Sequence, residues 1–483
     1  MTYTATMAVR EPRHLSAEDV VMRVAIVVLV AFLMLAIALP LATLLSKSFQ
    51  DSAGRFVGLA NYARYFATPS LVASLWNSFW VSMVATIIVV PLAFLYAYGL
   101  TRTRLPAKGL FLALALLPLF APSLLSAISF IYIFGNQGFL KTWLFGASVY
   151  GPIGIILAQV FYCFPHAMMI LITALALADG RLYEAAEAMG TPRWRVFLTV
   201  TLPGVRYGLI SAMFVVFTLV ITDFGIAKVI GGQFNVLATD AYKQVIGQQN
   251  FEMGAVVGFV LLVPAVVAFI LDRQVQQRQV ALLSARAVPL EPRANAAKDA
   301  AFTAYCLVIG GLIAAVLGVA VWGSFVTYWP YNLSLSLKNY NFAEFEPNGY
   351  GPYFASLQMA TITAILGTAI IFGGAYLIEK GQGFRAGRAF AQLLAMLPMA
   401  VPGLVLGLGY VFFINAKWNP LGFLYGTILL LAINCIAHFY TTAHITAVTA
   451  LKQIDNEFEA VSASLKVPFY RTCLLYTSDA ADE

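Results

Sequence analysis

The sequence predicts an all-α polytopic membrane protein made of two tandem homologous helix bundles. Its 483 residues are 61% hydrophobic and only 11% charged, whereas soluble domains carry about 25% charged residues. The apolar residues gather in about ten runs that are long enough to cross a bilayer as helices. Short patterns from the first part of the chain also recur, in the same order, in the second part. These observations exclude a soluble domain and predict two related membrane halves.

Each predicted span is a run of about 20 mostly apolar residues, which is the length that a membrane helix needs. Polar and basic loops separate the runs. The predicted spans are 24–46, 76–100, 109–134, 152–178, 205–227, 253–271, 301–327, 355–378, 389–414 and 422–449.

The basic residues predict the orientation of these spans. Most of the 29 lysine and arginine residues fall in alternate loops, and the positive-inside rule places those loops and the N-terminus in the cytoplasm. The net charge of +7 is spread over short loops rather than gathered on one face. It therefore predicts contact with a lipid bilayer and no nucleic-acid partner.

Two kinds of chemistry are excluded by the residue patterns. Three of the four cysteines lie in apolar runs and none shows metal-ligand spacing, so neither disulfides nor a metal site is predicted. No nucleophile and base are suitably placed, so no catalytic residue is predicted. A phosphate-binding Gly-x-x-x-x-Gly-Lys-Ser/Thr loop is also absent. ATP hydrolysis through such a loop therefore requires another protein.

The internal repeat predicts that both halves have the same orientation and that the third helix of each half is kinked. Symmetric proline pairs are expected to kink that helix in each half. The repeated pairs are Leu117-Pro118 with Pro122 and Leu397-Pro398 with Pro402, and Asn61-Tyr62 and Asn339-Tyr340. The predicted organisation is a cytoplasmic segment 1–23, a first membrane half 24–271, a polar cytoplasmic linker 272–300 and a second half 301–472.

The last residues do not continue this pattern. Segment 473–483 resembles translated sequencing-adapter read-through, and we expect it to be a non-native tail. On that expectation the last two spans of the second half are missing. At the other end, the segment before the first span is too long and too acidic for a cleaved signal peptide, so the first span is expected to be retained.

The loop at 181–203 carries the strongest functional signal. Its residues 184–203 read EAAEAMGTPRWRVFLTVTLP. Glu184 to Met189 favour a helix, Gly190 suits the left-handed position that ends it, and Thr191-Pro192 suits the start of a second helix. The pattern predicts a helix, a tight turn and another helix at the membrane surface. A partner could push such a loop as a rigid unit.

This loop resembles the coupling loop of ABC-importer permeases. The residues that carry the resemblance are Glu184, Ala185, Ala186, Gly190, Val200, Leu202 and Pro203. The resemblance implies the type I permease fold, about ten of whose spans are present here. It also implies a multi-pass protein of the bacterial inner membrane.

The resemblance further implies the partners and the roles of the loop residues. Two cytoplasmic ATP-binding subunits would grip the two loops, with ATP-Mg bound on those subunits and no cofactor on this chain. A periplasmic substrate-binding protein would dock on the opposite face. Glu184 and Arg193 would contact the ATPase, Gly190 would permit the turn, and Leu202-Pro203 would fix the exit into the fifth span.

The second coupling loop, 455–472, is a degraded copy of the first. Glu459 lies one place early relative to the pattern, and Lys466 replaces the glycine. Pro468 and Arg471 match Pro192 and Arg195 of the first loop. The two predicted ATPase docking sites are therefore unequal.

Two fused halves with one loop each resemble the permeases of the ferric-iron type, a group that includes thiamine and 2-aminoethylphosphonate permeases. Several stretches look most like the 2-aminoethylphosphonate permeases, among them 222–249, 279–288, 394–409 and 458–466. This resemblance implies 2-aminoethylphosphonate as substrate, with ferric iron or thiamine as the alternatives.

Four residues around the fifth span are candidates for the substrate pathway. Ionisable groups at bilayer depth are costly and suggest function, so Thr222 and Asp223 are expected to line a polar cavity. Asp223 would face the ammonium group of the substrate, and Lys228 and Lys243 its phosphonate. The alternatives are that Asp223 caps or pins a helix and that both lysines are simply solvated.

The competing functional class is an ion-coupled secondary transporter. Such a protein would also have duplicated halves and a buried acid, but it would need neither a coupling loop nor an ATPase. A membrane-embedded enzyme is disfavoured because no catalytic constellation is visible.

Overall fold

The computed structural model describes residues 17–176, 179–281, 290, 292–381 and 383–453, together with 461, 464, 465, 467 and 471. Within these residues, eight helices are long and apolar enough to cross a membrane, and ten spans result if two bent helix pairs each count as one. This confirms the predicted all-α polytopic class.

A π-helical turn at Met34–Ala38 joins the first two helices, Ala17–Leu33 and Leu39–Ser48, into one span. A short antiparallel β-hairpin follows the helix that ends at Phe325. The helices are α1 Ala17–Leu33, α2 Leu39–Ser48, α3 Ala60–Ala67, α4 Pro69–Arg102, α5 Lys108–Phe120, α6 Ser123–Phe134, α7 Pro152–Ala176, α8 Gly180–Ala188, α9 Arg193–Val196, α10 Leu202–Thr222, α11 Gly225–Ile230, α12 Leu237–Tyr242, α13 Phe251–Ala281, α14 Ala296–Phe325, α15 Gly351–Glu379, α16 Arg385–Met396, α17 Gly403–Ile414 and α18 Ile428–Gln453. The strands are β1 Val326–Tyr328 and β2 Asn332–Leu335.

The chain divides into two compact units. The larger unit comprises Thr43–Pro352 with Ala400–Leu408, and the smaller unit comprises Met1–Ala42, Tyr353–Met399 and Gly409–Glu483. Each unit is described by itself below.

In the larger unit the core is formed chiefly by α4, α7, α10 and α13. Small residues let these helices approach closely, as is usual in membranes. A β-carbon added at Gly208 in α10 would lie 2.3 Å from the Cβ of Ala174 in α7. Because nothing larger than glycine fits there, this position sets the spacing between the two helices.

The helix α14, which opens the predicted second half, packs in the larger unit against α4, α5 and α6. A β-carbon at Gly99 would lie 3.1 Å from Phe302, and the Tyr305 hydroxyl donates to the Leu92 carbonyl at 2.8 Å. The first helix of the second half is thus fastened to helices of the first half.

In the smaller unit, the first helix of the first predicted half, α1, packs in turn against helices of the second half. Met22 and Ile26 of α1 form a buried cluster with Leu377 of α15. The Tyr410 hydroxyl donates to the carbonyl of Ala36, at 2.7 Å. The first helix of each predicted half therefore packs against the other half, an arrangement that the sequence pattern did not predict.

The predicted kinks occur where the prolines lie. Helices α5 and α6 meet at an angle of 101° across the break between Phe120 and Ser123, and the pair Arg385–Ala400 with Gly403–Ile414 is broken at the matching place. Because each break lies beside a repeated proline pair, the third span of each half is broken in the same way.

Candidate functional site

The helix α8 forms as the loop sequence predicts. Asp179 precedes it with extended backbone, and its Oδ1 accepts a hydrogen bond from the Arg181 amide at 3.1 Å. A side-chain acceptor of this kind satisfies an amide that has no partner within the helix. Glu184 and Ala185 are exposed on α8, whereas Ala186 is buried. The Glu-Ala-Ala motif thus presents its first two residues outward and anchors its third.

The turn after α8 depends on Gly190. Its φ of +66° lies in the left-handed region, where a β-carbon is costly and glycine is not. The Gly190 amide donates to the Glu187 carbonyl at 2.8 Å, and the Thr191 amide donates to the Ala186 carbonyl at 3.0 Å. These bonds satisfy carbonyls at the helix end. The predicted turn at Gly190 is therefore present.

The second loop helix starts one residue later than predicted. Pro192, rather than Thr191, is the residue that precedes the first helical turn, and α9 begins at Arg193. The hydrogen bonds of the turn still include the Thr191 amide, so the chain returns to helical geometry only after Pro192.

From Arg193 the chain runs as one helix to Thr222, through a π-helical turn at Phe197–Thr201. The predicted fifth span begins at 205, whereas this helix begins twelve residues earlier, at Arg193, and passes through Leu202-Pro203 without a break. The role of Leu202-Pro203 in fixing the exit into the span stays a prediction. The Gly190 turn is therefore followed, after Thr191-Pro192, by the end of a helix that is long enough to span a membrane.

Three exposed apolar side chains surround this turn, and the sequence analysis did not single them out. Leu182 is 59% exposed, Met189 76% and Trp194 63%. Arg193 is exposed beside them. The signal that identifies them in the sequence is the presence of large apolar residues in a loop that is otherwise polar. With Glu184 they are exposed residues of α8 and of the turn and helix that follow it, and this set is called the exposed α8 face below. Large apolar side chains left exposed in this way are typical of a surface that binds a partner protein.

The second loop falls largely outside the described residues. Glu459, Lys466 and Pro468 lie outside them, and Arg471 is described and exposed. The predicted inequality of the two loops therefore stays a prediction.

Among the candidate pathway residues, Asp223 acts as a helix cap in this structure. Its Oδ2 accepts hydrogen bonds from the Ile226 amide at 2.9 Å and from the Gln159 side chain at 3.0 Å. The Thr222 hydroxyl donates to the Thr218 carbonyl of its own helix at 2.8 Å. Gln159, which the sequence analysis missed, thus ties α7 to the start of α11.

A small polar cavity lies beside Asp223. Its volume is about 10 Å³, close to the least that one water molecule needs. The polar side chains that line it are Ser78, Ser82, Gln159 and Asp223. The cavity joins α4, α7 and the end of α10, but in this conformation it is too small for a substrate.

The two candidate lysines have partners of their own. Lys228 is exposed, with its ammonium 4.8 Å from the ring centre of Tyr242. Lys243 donates to the side-chain oxygen of Asn235. No described contact joins either lysine to Asp223. Within the described residues, no three His, Cys, Asp or Glu side chains are grouped so that they could hold a metal ion.

Comparison with known proteins identifies what this arrangement is similar to. Residues 89–280, which include α8, the turn and α10, match the model of the family described as binding-protein-dependent transport system inner membrane component. The sulfate transport system permease protein CysT of Escherichia coli (strain K12) is 30% identical over 204 residues, which are 42% of this chain and 72% of that protein.

A putative ferric transport system permease protein, FbpB 1 of Haemophilus influenzae, is 26% identical over 426 residues, or 83% of this chain. The chain spans 64% of the length of that relative. A solved structure of a bacterial ABC transporter involved in the import of the acidic polysaccharide alginate matches 55% of this chain and 97% of its own, with 14% identity and a TM-score of 0.44.

Proposed function

The chain belongs to the family of binding-protein-dependent transport system inner membrane components, and on this premise we propose that it is a permease subunit of an ABC importer. It forms the route for the substrate through the membrane and transmits the work of ATP hydrolysis, which takes place on separate subunits. No catalytic residue is predicted for this chain.

The observation that carries this proposal is the geometry of the first loop. The first loop consists of α8, the left-handed turn at Gly190 and the helix that starts at Arg193. Because that second helix is continuous with a span, a movement of α8 would be transmitted to the span. The exposed α8 face offers Leu182, Met189 and Trp194 to a partner. Aromatic residues, methionine and arginine are enriched in protein interfaces, and Trp194, Met189 and the exposed Arg193 are of these kinds.

The partner of this face is a cytoplasmic ATP-binding subunit, which carries ATP-Mg. A second such subunit engages the loop at 455–472, and a periplasmic binding protein delivers the substrate to the opposite side. The chain lies in the bacterial inner membrane with its N-terminus in the cytoplasm.

Two substrates are supported by different observations. The similarity to ferric permeases over most of the chain favours ferric iron. Segments such as 222–249 and 394–409 resemble 2-aminoethylphosphonate permeases and favour that substrate. Because Lys243 is bonded to Asn235, a role for it in phosphonate binding requires that bond to open.

Asp223 is proposed to line the pathway when the cavity beside it widens. An asparagine caps a helix as well as an aspartate does, so Asp223→Asn separates the two roles. We expect this variant to insert normally and to transport less, because it lacks the charge that faces the substrate. Uptake equal to that of the wild type would assign Asp223 to capping alone.

The test of the function is reconstitution in liposomes with the candidate ATPase and binding protein. ATP hydrolysis is followed as binding protein loaded with 2-aminoethylphosphonate, or with ferric iron, is added. Stimulation by one ligand identifies the substrate. The exposed-face variant Glu184→Lys should abolish stimulation. Lys108→Glu, a charge reversal at an exposed residue that begins α5 on the same side of the membrane, should not. Ion-gradient-driven uptake without any ATPase would establish the secondary-transporter class instead.

A further inference from the structure

The last residue of α4, Arg102, lies at a junction of several helices. Its side chain is buried, with 6% of the residue exposed. The Arg102 Nη2 donates to the Leu175 carbonyl at 2.6 Å, one residue before α7 ends at Ala176. The last carbonyls of a helix have no partner within it, and a charged donor makes a strong bond to them. Arg102 therefore fastens the ends of α4 and α7 together.

The same guanidinium reaches α8. Its carbon lies 5.2 Å from the ring centre of Tyr183, within the range of a cation–π interaction. The hydroxyl of Tyr183 donates to the Thr201 hydroxyl at 3.1 Å, and Thr201 immediately precedes α10. Through a single aromatic ring, Arg102 is thus connected both to α8 and to the helix that leaves the turn.

The backbone of Arg102 makes a further connection, to α14. The Lys298 ammonium donates to the Arg102 carbonyl at 2.9 Å and lies 4.7 Å from the ring centre of Tyr98. Asn295 caps the start of α14 by accepting from the Lys298 amide at 2.9 Å. The first helix of the second half is therefore attached at the same point as the coupling helix of the first half.

A second contact joins the linker end to α8. Arg293, three residues before α14, forms an ion pair with Glu187 of α8. Both side chains are largely exposed, and pairs of this kind contribute little stability. The contacts of the buried Arg102 and the half-buried Lys298 are therefore the ones that hold these helices together.

We propose that Arg102 is the positioning residue that makes α8, the ends of α4 and α7, and the start of α14 move as one body. An ATPase stroke applied to the first loop is then delivered to the first helix of the second half as well as to its own half. This proposal rests on the proposed function, since it assumes that an ATPase moves α8. The internal repeat also pairs Ala97-Tyr98 with Ala375-Tyr376. A basic residue, Lys380, follows Tyr376 by four residues, as Arg102 follows Tyr98.

The junction can be tested on the purified chain, without any ATPase. Arg102→Met removes both the hydrogen bond to Leu175 and the cation–π contact with Tyr183. Lys108→Met removes an exposed cation at the start of α5 and is the matched control. Amide hydrogen exchange of 180–188 should be faster in Arg102→Met and unchanged in Lys108→Met. The start of α14 is held by the backbone carbonyl of Arg102, which this variant keeps, so faster exchange of 296–300 is expected in Lys298→Met instead. Tyr183→Leu removes the ring from the opposite side and should have the same effect on 180–188.

The reconstituted transporter tests the consequence. We expect Arg102→Met to lower the amount of substrate transported per ATP hydrolysed by at least about fivefold, the lower end of the factors usual for coupling between two sites. Binding of the ATPase subunit should be unchanged. Arg102→Lys keeps the charge but not the planar fork and should recover part of the ratio. Unchanged exchange together with an unchanged ratio overturns the junction. Failure of the wild-type chain to bind any ATPase overturns the proposed function, and the exchange measurement still decides the junction.

Discussion

The side-chain amides of Asn61 and Asn339 make the same pair of hydrogen bonds in the two halves of the chain. Asn61 Nδ2 donates to the carbonyls of Ser48 and Gln50 at 3.0 and 2.8 Å. Asn339 Nδ2 donates to the carbonyls of Ser324 and Val326 at 3.1 and 2.7 Å. Each asparagine ties the loop that follows a spanning helix back to the end of that helix.

The tyrosine after each asparagine completes the motif. The Tyr62 hydroxyl lies 2.8 Å from the Ser48 hydroxyl, and the Tyr340 hydroxyl lies 2.8 Å from that of Ser324. The Asn-Tyr pair that recurs in the sequence therefore belongs to a repeated hydrogen-bond motif whose third member is a serine. This is structural support for the predicted duplication.

The two asparagines should differ in their contribution to stability. Asn61 is 4% exposed, whereas Asn339 is only half-buried. Asn61→Ala leaves two carbonyls without their partner in a buried place and should cost about 1–3 kcal/mol. Asn339→Ala should cost less, because water reaches the carbonyls it leaves. The midpoint of thermal unfolding in detergent measures both, and equal losses would contradict the argument.

Gly190→Ala should destabilise the turn without a steric clash. A β-carbon there meets no atom within 4 Å, so the cost is the left-handed backbone alone, about 1–2 kcal/mol. Amide exchange of 186–193 should become faster. The control is Gly109→Ala, which also meets no atom within 4 Å and has no positive φ. It should leave exchange in this segment unaltered, and a similar acceleration in both variants would refute the explanation.

Trp194→Ala should weaken binding of the ATPase subunit by at least about fivefold. A tryptophan that the bound partner covers commonly contributes a large share of the binding energy of an interface. Trp143, 66% exposed against 63% for Trp194, lies in the loop between α6 and α7 and provides the matched control. Its replacement by alanine should leave the affinity unchanged. Affinity is measured by titrating labelled ATPase onto the chain in nanodiscs, and equal weakening by both variants would remove the exposed α8 face as the docking site.

Gly208→Ala should destabilise the larger unit by about 1–3 kcal/mol through overpacking, because its β-carbon would lie 2.3 Å from Ala174. Gly204→Ala, one turn earlier, meets nothing within 4 Å and should stabilise the helix by about 0.5–1 kcal/mol. Adding Ala174→Gly to Gly208→Ala should restore most of the loss in thermal stability. No recovery in the double variant would show that another contact is responsible.

Stability should fall as pH rises through the titration of Asp240, which lies outside the candidate spans. Burial raises the pKa of Asp240, while the hydrogen bond from Ser74 and the charge of Lys243 partly oppose that rise. The folded state therefore holds its proton to a higher pH than the unfolded state does. The resulting stability is present below the ordinary aspartate pKa of about 4 and is lost as pH rises through the folded pKa. In Asp240→Asn this slope should disappear, as thermal midpoints between about pH 4 and pH 7 would reveal.

The sequence by itself determined the class of the protein and the chemistry of its loop. Ten apolar runs predict ten spans because each follows from local composition alone. The turn at Gly190 was predictable from the sequence as well, because it depends only on the backbone conformation of that one residue. The proline breaks and the Asn-Tyr repeat were visible for the same reason: their causes lie within a few residues of one another.

Tertiary structure alone decided which helices pack together. The attachment of α14 to α4 and α5, and of α1 to α15, depends on contacts such as Gly99 with Phe302 that no local pattern records. The continuity of α9 with α10 depends on a π-helical turn, and the capping role of Asp223 depends on Gln159 in another helix. Membrane helices are uniformly apolar, so hydropathy specifies that they insert but not which faces meet. Which helix faces meet is determined by close packing at small residues and by a few buried hydrogen bonds, including that of Arg102.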